Sequence, residues 1–381
     1  MEMKAYFDHG STSPLRRCAY EAMQPWLKEG YGNASSPYSL GRESRAAVDS
    51  ARDLISFSLG VNSREIIFTG CGTESLVLTL IGAYIGNRHK GNHVITTTFE
   101  HHATHAIFEF LRDEMGAEFE MVNVDENGLV KLDELESMLK DDTVLVSIMG
   151  VNNEVGTVQD LYAISDMCRK RGIILHSDFV QTIGKHSFDL TKGAIDLACA
   201  SAHKFGGPKG VGFFYIREGV YVKNYCEGSH EFGLRSGTEN VAGIVGMASA
   251  TEAAIRDLPD ALEAASGFRD QIWDCINSTA PGASFNGDQN HAVPMTFNVH
   301  LPDCDGEMMV LGLDRAGVAT ATASACLTGA TEPSHVLKAM GVPRKDALSS
   351  LRISLGWSST QDEIDHFKEV FPDVYNRVRN S

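Results

Sequence analysis

The chain lacks a long apolar run, and no segment reaches the roughly 20 residues that a helix needs to cross a bilayer. It also lacks a recognisable secretory leader, because its first residues pass directly into Asp8-His-Gly-Ser-Thr12. We therefore expect a cytoplasmic protein without a membrane partner. Positive charge is scarce as well: 33 Lys and Arg stand against 50 Asp and Glu, a net charge of −17. This balance argues against direct binding of nucleic acid.

Paired cysteines are also missing. The eight cysteines are scattered, and no two form a CxxC pair, so we predict neither a zinc site nor a disulfide framework. Internal repeats and low-complexity tracts are absent too. The remaining composition, 43% hydrophobic and 22% charged residues, is that of an ordinary globular protein. A chain of 381 residues is too long for one small core, so we expect a large and a smaller domain.

Short apolar segments alternate with amphipathic ones between residues 65 and 216. This pattern predicts an α/β fold with a mostly parallel, seven-stranded sheet that is sandwiched by helices. A long Ala-rich helical region follows from about Val241 to near Thr279, and the rest mixes strands and helices. We predict a large domain over residues 15–250. Residues 1–14 and 251–381 would form a smaller α+β domain.

Polar residues that follow the strands are the candidates for a site, because ligands of such sheets bind beyond the carboxyl ends of the strands. The turn 70–75 joins a strand to a helix and contains Gly72 and Thr73. Glycine lets the backbone approach an anion, and the helix N-terminus supplies N–H donors. The turn therefore suggests a phosphate site, although Thr73 could instead only cap the helix.

Further strand ends carry His101, Asn153, Asp178 and Gln181. The imidazole could stack on a flat ring or move a proton, and the amides could bind an oxygen of the same ligand. A surface histidine and an ordinary turn are the simpler explanations for the first two. Asp178 is more informative, because a carboxylate near the centre of a sheet needs a cationic partner. The protonated nitrogen of a pyridine ring is one such partner.

Lys204 lies between an apolar segment and a Gly/Pro turn, with Ser201 and His203 beside it. A lone lysine there is usually a solvated strand end. Together with an anion cradle and Asp178, it suggests pyridoxal phosphate. The lysine would hold the aldehyde as a Schiff base, and the aspartate would keep the pyridine nitrogen protonated.

The chain resembles the cysteine desulfurases of the NifS and IscS kind, in the class V aminotransferase group of fold type I pyridoxal phosphate enzymes. The resemblance extends over nearly the whole length. Its strongest stretches are 68–75, 151–156, 176–185, 201–210, 235–240, 324–326 and 351–356.

The resemblance implies a homodimer that converts L-cysteine to L-alanine. Lys204 would carry the cofactor and move protons, and His101 would stack on its ring and take part in catalysis. Asp178 would pair with the ring nitrogen, while Gln181 and Asn153 would contact the oxygen side of the ring. The resemblance also implies that Arg352, with Asn153, would bind the carboxylate of the substrate. The cofactor phosphate would be bound by Gly72, Thr73, Ser201, His203 and the partner subunit's Thr238.

Cys326 separates desulfurases from aminotransferases on this fold. It stands in a small, polar run, 321–335, which predicts a mobile loop. Its thiol would take the substrate sulfur as a persulfide and deliver it to an acceptor such as an iron–sulfur scaffold protein. A harmless surface thiol is the alternative. We expect no resident metal, although Cys326 could ligate a cluster transiently.

Alternative functions remain open on the same scaffold. They are a selenocysteine lyase, an aminotransferase and a non-catalytic scaffold for sulfur-transfer partners. The segment 227–231 departs from the usual Gly-rich family pattern.

Overall fold

A computed structural model describes residues 3–192, 195–225, 228–322 and 332–380. In chain order its strands are β1 (Ala5–Tyr6), β2 (Ile66–Thr69), β3 (His93–Thr97), β4 (Glu118–Val122), β5 (Thr143–Ser147), β6 (Ile174–Asp178), β7 (Leu197–Ser201), β8 (Gly212–Ile216), β9 (Ser284–Phe285), β10 (Thr296–His300), β11 (Val318–Ala319) and β12 (Ser350–Ser354).

The helices follow the same chain order. They are α1 (Arg17–Lys28), α2 (Ser39–Leu59), α3 (Gly72–Asn87), α4 (His102–Met115), α5 (Leu132–Met138), α6 (Leu161–Lys170), α7 (Val241–Arg256), α8 (Leu258–Thr279), α9 (Gly306–Arg315), α10 (His335–Ala339), α11 (Arg344–Leu348) and α12 (Gln361–Arg379). None of the helices in the described ranges combines the length and the apolar character needed to cross a membrane.

The central sheet has seven strands in the order β2-β8-β7-β6-β5-β3-β4. Strands β3 to β7 pair in parallel, and β8 runs antiparallel to both of its neighbours. Both faces are covered: Val94 and Phe214 belong to one apolar cluster, and their chain neighbours Ile95 and Phe213 belong to another. Continuous apolar strands are typical of a parallel sheet buried on both sides. The predicted fold is confirmed.

A second set of strands gathers residues from both chain ends. β1 pairs in parallel with β11, and β10 lies between β9 and β12 in an antiparallel sheet. Their core contains Phe7, Phe297, Phe367 and Phe371 and is lined by α8, α9 and α12. The exact division into domains stays a prediction, and Val336 of α10 packs with the core of the large sheet.

The predicted helical region from about Val241 to near Thr279 is confirmed, and it consists of two helices: α7 ends at Arg256 and α8 starts at Leu258. Pro259 occupies the first turn of α8, where its missing N–H is tolerated, whereas inside a continuous helix it would remove a hydrogen bond. Helix α3 begins at Gly72, inside the segment 70–75 that the sequence predicts as a turn before the helix, because Cys71 caps it.

Candidate active site

A cavity of about 300 Å³ lies at the carboxyl ends of β6 and β7 and the N-terminus of α3. Every predicted site residue in the described ranges except Thr238 lines it. These are Gly72, Thr73, His101, Asn153, Asp178, Gln181, Ser201, His203, Lys204 and Arg352. Thr238 is exposed and outside the cavity. Cys326 lies outside the described residues.

The N-terminus of α3 forms one wall of the cavity. Cys71 is the N-cap, and its Sγ accepts a hydrogen bond from the backbone N–H of Glu74 at 3.4 Å. Thr73 is therefore not the cap; it lies in the first turn, where backbone N–H groups have no partner within the helix. A Cβ on Gly72 would lie 3.0 Å from Cγ2 of Val180 and 3.1 Å from Cβ of Ser201. A side chain at this position would force these neighbours to shift by a few tenths of an ångström, so glycine favours the close packing of this helix end on the sheet.

Lys204 lies in a 3₁₀ turn, Ala202–Lys204, that directly follows β7. Its Nζ donates to the backbone carbonyls of Gly10 and Ser11, both at 2.8 Å. The N-terminal arm therefore forms part of the cavity wall. From the sequence, residues 1–14 are only assigned to the smaller domain and have no role in the site. The run of small polar residues after Asp8 was the available signal.

Asp178 is the last residue of β6 and is buried. Its Oδ1 accepts a hydrogen bond from the backbone N–H of Val180 at 2.8 Å. Burial raises the pKa of Asp178, although the Val180 hydrogen bond and nearby His101 and Lys204 oppose the shift. Within the described ranges, no cation forms an ion pair with this carboxylate. A cationic ligand would thus satisfy it.

His101 is the N-cap of α4, and its Nδ1 accepts a hydrogen bond from the backbone N–H of Ala103 at 3.2 Å. An accepting Nδ1 leaves the hydrogen on Nε2 in the neutral ring. Burial lowers the pKa of His101, and the charge of Asp178 only partly opposes this shift. The cavity therefore holds a neutral imidazole at neutral pH, which can lie against an aromatic ring without a charge penalty.

A buried hydrogen-bond chain supports Gln181. Its Nε2 donates to the Gly10 carbonyl at 2.9 Å, and its Oε1 accepts from Nζ of Lys185. Burial, with the nearby charges of Lys204 and Arg352, lowers the pKa of Lys185 to about 7. Sequence reasoning gave Lys185 no role. The two residues are four positions apart in a segment of turns and not in a helix, so their spacing alone did not predict the contact.

Arg352 reaches the cavity from β12 and is buried. Its Nη2 donates to Oδ1 of Asp8 at 2.8 Å and to Oγ of Ser11 at 2.7 Å, and its Nη1 donates to the Asn153 carbonyl at 3.2 Å. Nε of Arg352 and Oδ1 of Asn153 are buried and have no hydrogen-bond partner among the described residues. Unpaired buried polar atoms at a cavity indicate a polar ligand.

The cavity fits pyridoxal phosphate on several independent counts. It offers a lysine amine for the aldehyde, a buried carboxylate without a cation for the ring nitrogen, and a glycine-packed helix N-terminus for the phosphate. The unpaired Oδ1 of Asn153 and Nε of Arg352 provide further polar contacts. The donor set therefore matches the three functional groups of the cofactor.

Comparison with known proteins gives a consistent result. The family model for aminotransferase class V matches residues 5–367. The cysteine desulfurase IscS of Dictyoglomus turgidum is 39% identical over 380 residues, which span 100% of this chain and 96% of that protein. The Escherichia coli cysteine desulfurase IscS is 39% identical over 386 residues, with 100% and 95% covered. A solved structure described as a NifS-like protein is 36% identical, with a TM-score of 0.92 and complete coverage of both chains.

Proposed function

Because this chain belongs to the class V aminotransferase family and, within it, to the cysteine desulfurases, we propose specific roles for its residues in that reaction. The enzyme uses pyridoxal phosphate, removes sulfur from L-cysteine and leaves L-alanine. One observation supports the assignment of roles above all: a single cavity gathers Lys204, Asp178, His101 and Arg352. These groups are the ones that a cofactor aldehyde, a ring nitrogen, a ring face and a substrate carboxylate require.

The cofactor would be held covalently by the amine of Lys204. Asp178 would pair with its ring nitrogen, neutral His101 would lie against its ring, and Gln181 with Asn153 would contact its oxygen side. When bound, the cofactor draws electrons from the Cα of the amino substrate. The amine of Lys204, once released, would move the proton at that Cα.

The phosphate would bind at the N-terminus of α3. Gly72 and Thr73 stand in the first turn of α3 and line the cavity together with Ser201 and His203. Burial lowers the pKa of His203 to about 4, so its ring is neutral at pH 7. The positive end of the helix dipole would supply much of the attraction for the anion.

Arg352 would bind the substrate carboxylate through its planar fork, with Asn153 beside it. In the structure the fork already contacts a carboxylate, Oδ1 of Asp8, at 2.8 Å. This contact supports the proposal that Arg352 holds the substrate carboxylate. Asp8 would also limit affinity, because it competes for the same guanidinium.

Cys326 would receive the sulfur. Its thiolate would attack the substrate sulfur, an S–S bond would form, and the C–S bond would break, with the electron pair passing to carbon, which takes up a proton. The balance is L-cysteine plus a Cys326 thiol giving L-alanine plus a Cys326 persulfide, so no outside oxidant is needed.

Both ends of the segment that contains Cys326 are attached near the cavity. The backbones of Ala321 and Arg352 exchange hydrogen bonds of 2.7 and 3.2 Å. Ser334, on the other side, donates its hydroxyl to Glu154. Cys326 lies five positions after Ala321, and a chain of five residue steps extends at most about 18 Å. This attachment supports Cys326 as the attacking residue.

The partners are also part of the proposal. Thr238 is exposed and outside its own cavity, so a phosphate contact from it would require a second copy and hence a homodimer. The acceptor of the persulfide would be an iron–sulfur scaffold or another sulfur-accepting protein. The six described cysteines form no disulfide, which agrees with a reducing compartment such as the cytoplasm.

The test is to mix purified enzyme with L-cysteine in the absence of reductant, weigh the intact protein and measure alanine. We expect a mass gain of one sulfur atom that is lost in Cys326→Ala, with alanine released by the native enzyme. Alanine without a Cys326-dependent mass gain would identify a lyase in which another group takes the sulfur. Full turnover of another amino substrate by Cys326→Ala would identify an aminotransferase. Absence of the cofactor absorption band would support the non-catalytic scaffold.

A further inference from the structure

Three histidines cluster beside the cofactor cavity without lining it. His102 and His105 lie in the first turns of α4, and His335 is the first residue of α10. One ring nitrogen of each lies within 4.8 Å of those of the other two. The ring centroids of His102 and His335 are 4.1 Å apart, and those of His105 and His335 are 5.4 Å apart. Nitrogens bound to one tetrahedral zinc ion lie about 3.4 Å apart, so small side-chain rotations would bring them together.

Hydrogen bonds fix the tautomers of two of these rings. Nε2 of His105 lies 2.8 Å from the Thr97 carbonyl, and Nε2 of His335 lies 2.7 Å from the Glu100 carbonyl. A carbonyl only accepts, so each Nε2 carries the hydrogen and each Nδ1 keeps a lone pair. Metal-binding histidines typically donate their other N–H to a backbone carbonyl or carboxylate in this way.

Neutral imidazole, and not imidazolium, is the form of histidine that binds a metal ion. Within the described ranges, none of the three rings forms an ion pair with a carboxylate, so acidic partners do not explain why they gather.

From this geometry we propose that His102, His105 and His335 bind one divalent transition-metal ion of the zinc type. Three imidazoles suit zinc, copper or nickel better than magnesium or calcium, which prefer oxygen ligands. The ion would join the first turns of α4 and α10. Helix α4 follows His101, and α10 follows the segment with Cys326, so the ion would fix the two elements that border the proposed reaction. The site does not depend on the proposed residue roles.

The test is calorimetric titration of chelator-treated holoenzyme with Zn²⁺, with thermal unfolding as a second measurement. We expect one site per chain that weakens at least about tenfold in His102→Ala, because removing even an outer support of a metal ligand typically weakens binding about 10–100-fold. His102 is exposed, so its loss should leave the fold intact. His335→Gln, whose amide can still donate to the Glu100 carbonyl, should weaken binding similarly. Added Zn²⁺ should raise the unfolding midpoint of the native enzyme and not that of His102→Ala.

His89→Ala is the matched control, because His89 is exposed and lies outside the cluster. It should bind Zn²⁺ as the native enzyme does. Zinc bound by thiols or by the cofactor phosphate would be common to all variants and would cancel in the comparison. Equal affinity of His102→Ala and the native enzyme would overturn the proposal. An equal loss in His89→Ala would do the same, because it would reveal unspecific binding to surface histidines.

Discussion

Replacement of Arg352 by lysine tests how the substrate carboxylate is recognised. The guanidinium is buried and its two Nη atoms donate to Asp8, Ser11 and the Asn153 carbonyl. Lysine keeps the positive charge but offers a point charge instead of a planar fork. The substitution thus removes the paired geometry while it changes the net charge of the site very little.

The size of the effect follows from the bonds that are lost. A carboxylate held by the fork makes two charge-assisted hydrogen bonds, and lysine retains about one of them. Such a bond contributes about 1.5–3 kcal/mol. At about 1.4 kcal/mol for each tenfold change in affinity, L-cysteine should bind about 10- to 150-fold more weakly to Arg352→Lys.

The assay compares two ligands on the same two proteins. L-cysteine and cysteamine, which lacks the carboxylate, are each titrated against holoenzyme while the cofactor absorption is followed. Arg352→Lys should weaken the binding of L-cysteine about 10- to 150-fold and leave the affinity for cysteamine nearly unchanged. A thermal unfolding curve checks that the variant is folded.

Two results would refute this reasoning. An equal loss of affinity for both ligands would mean that Arg352 supports the shape of the cavity or the binding of the cofactor and does not bind the carboxylate. Unchanged affinity for L-cysteine would mean that the carboxylate is bound elsewhere in the site.

Three further predictions concern stability and the cofactor. Glu231→Gln should lower the free energy of unfolding by about 3–5 kcal/mol, because it leaves the buried guanidinium of Arg52 without its carboxylate. Chemical denaturation measures this, with the exposed pair of Glu21 as control, where Glu21→Gln should change stability by about 0.5 kcal/mol or less. Gly72→Ala should weaken cofactor binding about 5- to 150-fold in an equilibrium titration, since overpacking costs about 1–3 kcal/mol. The free energy of unfolding of the native enzyme should rise with pH between about pH 7 and 10, and Lys185→Met should abolish this rise. The pKa of Lys185 is lowered to about 7 in the folded chain, so the unfolded chain binds more protons between about pH 7 and 10.

Each of these predictions has an outcome that contradicts it. If Glu231→Gln and Glu21→Gln lowered the free energy of unfolding equally, burial of the ion pair would not determine how much the pair stabilises the protein. Gly267→Ala, in α8 where a Cβ meets no atom within 4 Å, should leave cofactor affinity unchanged, and the Gly72 prediction fails if both variants behave alike. For Lys185, the native enzyme should gain up to about 1.4 kcal/mol per pH unit relative to Lys185→Met between pH 7 and 9. Parallel stability curves for the two proteins would mean that Lys185 stays charged.

The sequence by itself determined the sheet, the family and the residue types of the site. Apolar strands covered on both faces produce continuous hydrophobic segments, so β3 to β8 could be predicted from local composition. Residues after parallel strands meet at one sheet edge, so the sequence alone predicts that Asp178 and Lys204 lie close together. Their roles stay predictions, and Cys326 lies outside the described residues.

Only the tertiary structure decided which distant groups complete the cavity. The side chains of Arg352 and Lys204 donate hydrogen bonds to the segment that follows β1, at Asp8, Gly10 and Ser11. These contacts form because the residues after β1 pack beside β12, where Asp8 pairs with Ser354. The buried state of Lys185, and hence its lowered pKa, likewise depends on neighbours that are distant in sequence. Local sequence encodes periodicity and turn chemistry, whereas burial and long-range contacts arise only when the whole chain is packed. That is why the site residues could be named from the sequence, while their charges and partners could not.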